Sequence, residues 1–238
     1  MVRLAAILAV ALLLAPAAQA QAQAPCRLAL ALALDVSSSV DARDYALQRR
    51  GLAAALDAPE VRHAILNGGP GEVALAVYEW SGFRQQKLHL DWTRLRSDAD
   101  IDRAVQALAA MTRGDDDFPT ALGAGLGYGA TLLGRGPACD RRVLDVSGDG
   151  VNNFRYGPAD AYRHFPFNGV TVNGLVILGQ QAEVATYYRD TVLHGPGAFM
   201  VVATGFEKYR AAMTRKLYRE INDIVLGSAP RARRGPRG

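Results

Sequence analysis

Three oxygen-bearing side chains follow a short apolar run near the start of the chain. The run covers residues 28–34 and ends at Asp35, and Ser37 and Ser39 come next at a spacing of two. One carboxylate and two hydroxyls are hard oxygen ligands, which suit Mg2+, Mn2+ or Ca2+ better than Zn2+ or copper. The pattern therefore predicts half of a divalent-metal site. Taken alone, the same serine-rich turn is explained as well by a helix N-cap.

Two further polar clusters offer the missing ligands. Asp149 follows a second apolar run, in the sequence Ser-Gly-Asp-Gly, and Thr120 closes a polar loop that begins at Arg113 and contains three consecutive aspartates. Short apolar runs bounded by polar residues are typical of strands buried on both faces. Ligands in open α/β sheets bind outside the carboxyl ends of such strands, so both clusters are candidates for the same site.

The elements that must position these residues alternate along the chain. Strands are predicted at residues 28–34, 72–80, 86–92, 141–148, 170–178 and 198–203. Helices are predicted at residues 41–56, 97–111, 121–133, 182–193 and 207–226, and a further short helix is predicted to end near residue 165. The helix at 97–111 begins with a capping box at Ser97, and residues 59–70 are expected to form a loop. This alternation predicts a mostly parallel sheet with helices on both faces, in which residues 86–92 form an antiparallel edge strand.

The helix at residues 121–133 contains four glycines, at positions 123, 125, 127 and 129. Each glycine costs a helix about 0.5–1 kcal/mol relative to alanine. A helix that keeps four of them is expected to pack very closely against a flat surface, and the sheet is the flat surface available.

Composition and charge indicate one globular domain without a basic face. The chain has 238 residues, of which 50% are hydrophobic and 21% charged. The net charge of +4 includes Arg3 and four arginines among the last eight residues, and without these five the body carries about −1. We therefore expect no binding to nucleic acid.

The two ends of the chain are expected to lie outside the domain. Residues 1–24 are predicted to be a signal peptide and short leader, because Arg3, an apolar stretch and the small-x-small site at residues 18–20 occur in that order. The alternatives are a permanent membrane anchor, although the stretch is short for a span, and lipid attachment at Cys26, which Pro25 fits poorly. Residues 25–227 form the predicted domain, and 228–238 a disordered arginine-rich tail. The expected location is the bacterial periplasm or the exterior, with no membrane span after cleavage.

Together the polar clusters resemble the von Willebrand factor type A domain. Its metal-ion-dependent adhesion site uses an Asp-x-Ser-x-Ser turn after the first strand, a threonine from a later loop and an aspartate after the fourth strand. Asp35, Ser37 and Ser39 match the first motif in full, Thr120 matches the second and Asp149 the third. The resemblance covers residues 27–226, and more narrowly it is to secreted bacterial proteins known only as a domain of unknown function.

The resemblance implies both a fold and a site. The fold is a doubly wound, Rossmann-like α/β domain whose six-stranded sheet has the order 3-2-1-4-5-6. In the site, Ser37, Ser39 and Thr120 coordinate a divalent cation directly, and Asp35 and Asp149 do so directly or through water. Mg2+ is the expected ion, with Mn2+ or Ca2+ as alternatives. Because hydroxyl ligands leave the cation incompletely neutralised, it can accept a carboxylate from a partner protein, which is a binding function and not an enzymatic one.

The same strand order implies a disulfide. Cys26 and Cys139 are the only cysteines, and disulfides persist in exported proteins. They precede Asp35 and Asp149 by nine and ten residues, so the strand adjacency implied by the resemblance brings both to the end of the sheet opposite the metal. The alternative is two free thiols.

Two other functions compete with the binding module. Asp35 is a candidate nucleophile of a metal-dependent phosphatase of the haloacid-dehalogenase type, but those sites need a second aspartate where this chain has Ser37. A serine hydrolase is disfavoured because no Gly-x-Ser-x-Gly elbow is present. The third possibility is a domain of this fold in which the metal is purely structural.

Several polar residues near the motifs are assigned structural roles. Glu79 is expected at a strand end facing water or an arginine, with a functional acid as the alternative, and Asp145 is expected to be a structural acid within its strand. The aspartates at 115–117 are expected to be a solvated loop, with metal assistance as the alternative. Asn152 and Asn153 are expected to stabilise the turn after Asp149, with contact to a ligand at the rim of the site as the alternative. The histidines at 63, 89, 164 and 194 are scattered, so surface or packing roles are expected.

Overall fold

A computed structural model describes residues 25–115, 117–179 and 183–222. The strands are β1 (Cys26–Asp35), β2 (Glu72–Trp80), β3 (Gln86–Leu95), β4 (Arg141–Gly148), β5 (Val170–Ile177) and β6 (Met200–Ala203). The helices are α1 (Ala42–Leu56), α2 (Pro59–Asn67), α3 (Asp98–Ala109), α4 (Leu122–Gly134), α5 (Pro158–His164), α6 (Val184–Tyr187) and α7 (Tyr209–Asn222). The predicted signal peptide and arginine-rich tail lie outside the described residues. Within those residues, no helix is both long and apolar enough to cross a membrane.

The six strands form one sheet in the order β3-β2-β1-β4-β5-β6, with β3 antiparallel and the other pairs parallel. This confirms the predicted α/β fold, its strand order and its antiparallel edge. β1 lies at the centre of the sheet, between β2 and β4. Asp35 at its carboxyl end is paired with Trp80, and Leu34 with Ser147. The ends of β1 and β4 therefore open on the same edge, where Asp35 and Asp149 were expected to meet.

Strict alternation in β1 gives the sheet two different faces. Successive side chains of a strand point to opposite sides. The leucines at 28, 30, 32 and 34 belong to the core beneath α1, α2, α3 and α7, whereas the alanines at 29, 31 and 33 belong to the core beneath α4 and α5. All seven residues are buried. The alanine face is shallow, so a helix can approach the sheet closely on that side.

Helix α4 uses this shallow face, which confirms the packing predicted from its glycines. A Cβ atom on Gly125 would lie 2.8 Å from the indole ring of Trp80. A Cβ atom on Gly129 would lie 2.5 Å from the Tyr78 hydroxyl and 2.7 Å from Leu144. Since real Cβ contacts are not that short, glycine is required at both positions by the close approach of helix and sheet.

The Cys26–Cys139 disulfide is present, with a Cα–Cα distance of 4.5 Å. Cys26 begins β1, and Cys139 lies two residues before β4. The backbone N–H of Asp140 also donates to the carbonyl of Cys26 at 2.9 Å. The bridge therefore joins the amino ends of two neighbouring parallel strands, opposite the edge that carries Asp35.

Some predicted elements were wrong in type or extent. Residues 59–67 form helix α2 and not a loop, because Pro59 occupies the first turn, where its missing N–H costs nothing, and Val61, Ala64 and Ile65 are buried against the core. Helix α6 covers only Val184–Tyr187 and continues as a π-helical turn, Tyr188–Val192. A short 3-10 turn, Phe206–Lys208, precedes α7.

Candidate metal centre

The turn after β1 holds its ligands by local backbone contacts. The Asp35 carboxylate accepts a hydrogen bond from the backbone N–H of Ser37 through Oδ1, at 2.8 Å. Asp35 and Ser37 are fully buried. Asp41 then caps helix α1 by accepting from the N–H of Asp44 at 2.8 Å. The N-cap role considered for the serines thus falls to Asp41, and the serine hydroxyls remain available for other contacts.

The predicted ligands meet in one chain of oxygen contacts. Ser37 Oγ lies 3.3 Å from Ser39 Oγ, and the Thr120 hydroxyl donates to Ser37 Oγ at 3.2 Å. Ser39 Oγ donates to Asp149 Oδ1 at 2.8 Å. Three separate loops, which follow β1, precede α4 and follow β4, therefore bring all five predicted residues together.

Asn153 positions the threonine. Its side-chain Oδ1 accepts from the backbone N–H of Thr120 at 2.9 Å, and its own N–H donates to the Thr120 carbonyl at 3.0 Å. The neighbouring Asn152 accepts from the N–H of Gly123 at 3.2 Å, in the first turn of α4. The two asparagines were expected to stabilise their own turn. They also tie that turn to the start of α4, which fixes Thr120 against Ser37.

The electrostatics of the site favour a cation. Burial, and then the charge of Asp149, raise the pKa of Asp35 to about 7. Burial also raises the pKa of Asp149. Asp35 Oδ2 is buried and has no hydrogen-bond partner among the described residues. Two desolvated carboxylates and one unpartnered oxygen are a costly arrangement that a divalent cation would compensate, so the residues present fit such an ion.

Most of the predicted donors at this site are uncharged hydroxyls and not acids. Among the described residues, no group of three or more histidines, cysteines, aspartates and glutamates is placed to hold a metal ion. Here only Asp35 and Asp149 are acids, and the other three donors are hydroxyls. Hard oxygen ligands of this kind suit Mg2+ or Mn2+.

Gly148 keeps the space beside Asp35 open. A Cβ atom at this position would lie 2.9 Å from Asp35 Oδ2 and 2.5 Å from the hydroxyl of Tyr188. That hydroxyl is also buried, without a hydrogen-bond partner in the described ranges, and burial holds the pKa of Tyr188 well above its usual range. Tyr188 was not predicted as a residue near the site, because only the π-helical turn brings it under the end of β4.

Glu79 and Arg113 contact the residues around the candidate site in ways that the sequence did not predict. Glu79 was expected to face water or an arginine, but it is buried, accepting from the Tyr45 hydroxyl at 2.7 Å and from the Gly114 N–H at 2.8 Å. His89 Nε2 lies 2.9 Å from Glu79 Oε2, the same oxygen that accepts from Gly114. These partners come from α1, the loop after α3 and the antiparallel strand β3, a conjunction that no local pattern of the sequence indicates.

Arg113 braces the turn formed by residues 35–39. Its guanidinium donates to the carbonyls of Val36 at 3.3 Å, Ser37 at 3.4 Å and Val40. The guanidinium also lies 5.7 Å from the ring centroid of Tyr45. Because Glu79 binds both Tyr45 and Gly114, the residue after Arg113, the turn and its brace form one connected network.

The remaining structural expectations are confirmed for the described residues. Asp145 is buried in β4 and pairs with the buried Lys216 of α7 at 2.9 Å. Asp115 and Asp117 are exposed, as expected of a solvated loop, and Asp116 lies outside the described residues. The histidines at 63 and 164 are exposed, and those at 89 and 194 pack against Glu79 and Tyr162.

The fold is similar to that of several solved proteins. Proximal thread matrix protein 1 from the mussel byssus, solved with a zinc-occupied MIDAS motif, matches at 19% identity and a TM-score of 0.59, over 83% of this chain and 46% of that chain. A von Willebrand factor type A protein from Catenulispora acidiphila matches at 14% identity and a TM-score of 0.54, over 82% and 43%. The PilB minor pilin from Streptococcus sanguinis matches at 13% identity and a TM-score of 0.60, over 85% and 63%.

At these identities the similarity establishes the fold alone, which is that of a von Willebrand factor type A domain. The chain spans about half the length of the first structures it matches, 47% and 48% for two crystal forms of the mussel protein. No functionally curated protein matches the sequence. The sequence model of one family, described as a protein of unknown function (DUF1194), matches residues 25–225. By this match, which covers most of its length, the chain belongs to the DUF1194 family.

Proposed function

We propose that the protein is an exported, metal-dependent binding module that engages an acidic side chain of a partner protein. Ser37, Ser39 and Thr120 would hold a divalent cation, with Asp35 and Asp149 as direct or water-mediated ligands. Mg2+ is the preferred ion, and Mn2+ or Ca2+ the alternatives. When bound, the cation supplies a positive centre that the two acids neutralise only in part, so that a partner carboxylate is a favourable further ligand.

One observation carries the proposal. Within the part of the chain that the structure describes, Asp35 Oδ2 is buried with no hydrogen-bond partner, next to a chain of three hydroxyls that ends on a second carboxylate. Buried carboxylates in folded proteins are normally hydrogen-bonded or paired with a positive charge. Here the backbone turn, Asn153 and Arg113 hold the oxygens together, although their mutual repulsion opposes this. Such preorganisation is expected of a site whose missing component is a cation.

The neighbouring structures support a binding role. One neighbour is a matrix protein with a zinc-occupied MIDAS motif, and another is a minor pilin. The predicted phosphatase lacks support in the site itself, because the position of its second acid is occupied by Ser37, which contacts Ser39 and Thr120. We therefore propose a non-enzymatic module.

Export is part of the proposal. It rests on the signal-peptide pattern of residues 1–24 and on the Cys26–Cys139 disulfide, since disulfides persist in oxidising compartments. The periplasm or the cell exterior is the proposed location, and residues 228–238 are proposed to be a disordered tail after the domain.

Calorimetric titration with MgCl2 and MnCl2 tests the site. The wild-type protein should bind one ion, and Ser37→Ala and Asp149→Asn should each weaken binding by about tenfold or more, which corresponds to about 1.4 kcal/mol or more. Ser38→Ala is the matched control, because Ser38 lies between the two ligand serines and is exposed. Its affinity should equal that of the wild type. If the wild-type protein binds none of Mg2+, Mn2+ and Ca2+, the metal site is refuted.

A second experiment tests the partner. Proteins of the bacterial envelope are captured on the immobilised wild-type protein in MgCl2 and then washed with a chelator. Partners that are released by the chelator, and that Ser37→Ala does not capture, are expected. Partners that resist the chelator would favour a purely structural metal.

A further inference from the structure

A groove of about 400 Å3 lies beside the candidate metal centre. Its described lining combines aromatic rings and arginines and contains no acidic residue; it includes Phe83, Arg84, Phe118, Pro119, Phe154 and Arg155. Phe154 is 38% exposed, and it is one of three large hydrophobic residues with this degree of exposure among the described residues. An exposed aromatic ring next to arginines is the composition that dominates binding energy at protein interfaces.

Arg155 and the two phenylalanines form one preorganised unit. The Arg155 guanidinium lies 4.8 Å from the ring centroid of Phe83 and 5.4 Å from that of Phe154. Arg155 has a φ of 56°, in the left-handed region that non-glycine residues uncommonly adopt. A guanidinium stacked on aromatic faces keeps its in-plane N–H groups available for a carboxylate.

The groove is lined by residues from the same two loops that hold part of the candidate metal centre. The carbonyl of Phe118 accepts from the backbone N–H of Ser38 at 3.0 Å, inside the Asp-x-Ser-x-Ser turn. On the other wall, Phe154 follows Asn153, which holds Thr120 through two hydrogen bonds. A ligand that reaches the cation from this side therefore passes over the groove.

The opposite side of the centre has the reverse charge. A second cavity there, of about 250 Å3, is lined by Ser39, Asp149, Asp44 and Glu207. Burial, and then the neighbouring charges of Asp41 and Glu207, raise the pKa of Asp44. One of these acids, Glu207, pairs with the exposed Arg43 at 2.7 Å. The acids of this second cavity repel an acidic ligand, whereas the arginines of the groove attract it. We therefore expect such a ligand to lie over the groove.

We infer that the groove binds the partner segment that supplies the carboxylate for the metal. The segment is acidic, with a large apolar or aromatic side chain that packs on Phe83 and Phe154 and a second carboxylate that pairs with Arg155 or Arg84. This inference rests on the proposed function and specifies the chemistry of its partner.

Selection of random dodecapeptides displayed on phage, with the purified protein in MgCl2, tests the inference. Peptides eluted by chelator should contain an acidic residue, a second acid and a large apolar residue within a few positions. The affinity of the best peptide, measured as a synthetic compound, should fall about tenfold or more in Phe154→Ala and in Arg155→Gly. Glycine adopts the left-handed backbone without strain, so Arg155→Gly removes the side chain and keeps the loop.

Matched controls separate the groove from general surface effects. Tyr218→Ala removes another exposed aromatic side chain, which is 40% exposed on α7, and Arg215→Glu reverses an exposed charge on the same helix. Both should bind the peptide as the wild type does. All groove variants should bind Mg2+ with wild-type affinity, since none of the replaced side chains belongs to the proposed ligand set.

The outcomes distinguish this inference from the proposed function. If Mg2+ binds but the selected peptides are insensitive to Phe154→Ala and Arg155→Gly, the groove is refuted and the metal site stands. The same conclusion follows if Mg2+ binds but no peptide is enriched over selection on Ser37→Ala. If the wild-type protein binds no divalent cation, the proposed function fails, and the groove inference fails with it.

Discussion

Replacing both Cys26 and Cys139 with serine should lower the free energy of unfolding by about 5 kcal/mol. The two residues are separated by 113 positions, so their bridge closes a long loop in the unfolded chain. The chain-entropy relation gives roughly 16 cal/mol/K for a loop of this length, or about 5 kcal/mol at 25 °C. Since domains are typically stable by about 5–15 kcal/mol, the variant should lose a large part of its stability.

The native sheet should survive the substitution, because the bridge is not the only contact at this position. Asp140 N–H donates to the Cys26 carbonyl at 2.9 Å, and β1 and β4 are paired in register from Leu28 and Arg141 onward. The effect therefore falls on the unfolded ensemble, which becomes less compact without the cross-link. The dependence of unfolding free energy on urea concentration should accordingly become steeper in the variant.

Urea unfolding followed by circular dichroism measures both quantities. The wild-type protein in reductant should be as unstable as the double variant. The single variant Cys26→Ala cannot form the intramolecular bridge, so it should have the same stability as the double variant without reductant. Mg2+ affinity should be unchanged, because Asp35 lies nine residues from Cys26 along an extended strand, a distance of roughly 30 Å. A loss of unfolding free energy below about 1 kcal/mol would refute the loop-closure reasoning. A loss of Mg2+ affinity would refute the expectation that the disulfide end of β1 does not influence the metal site at the other end.

Two further predictions concern buried charge and helix packing. Lys216→Met leaves Asp145 and Glu220 buried without their shared cation and should cost about 3–5 kcal/mol in urea unfolding at pH 7, more than Asp145→Asn. The pKa of Asp145 is raised to about 8, chiefly by burial. The stability that the protonated Asp145 contributes is therefore fully present below pH 4 and is lost as pH rises through 8. Asp145→Asn should flatten this decline in unfolding free energy between pH 5 and pH 8.5, and an unchanged slope would contradict the assignment. Gly129→Ala should destabilise the protein by about 1–3 kcal/mol through overpacking. A Cβ atom at Gly134 would meet no described atom within 4 Å, so Gly134→Ala should be neutral or stabilising by up to about 1 kcal/mol. Equal effects of the two variants in thermal unfolding would contradict the close packing of α4.

The sequence predicted those features that depend on strong local patterns. The apolar residues of β1 and β4 and the polar residues directly after them identified both strand ends, because strands buried on both faces are rich in apolar residues. The strand order, however, came from the resemblance to a family. Periodicity alone identifies strands and helices but does not determine which parallel strands are neighbours.

Features assembled from distant segments escaped prediction. Glu79 was interpreted as a strand-end residue, because β2 is apolar on both sides of it and only the fold reveals Tyr45 and the Gly114 N–H as its partners. Helix α2 was missed because it is short and its proline was read as a loop signal, although proline is favoured in a first helical turn. Both errors arise where tertiary contacts decide the role of a residue.

The two faces of β1 connect the fold to the site. Alanines on one face and glycines in α4 allow the helix to approach the sheet closely, and Thr120 lies two residues before that helix. The distance between helix and sheet therefore sets how near Thr120 comes to Ser37, which is 3.2 Å between their hydroxyl oxygens. A methyl group at Gly129 would push the helix outward and should weaken Mg2+ binding as well as stability. The small side chains on this face therefore contribute to the proposed metal site indirectly, by positioning the helix that follows Thr120.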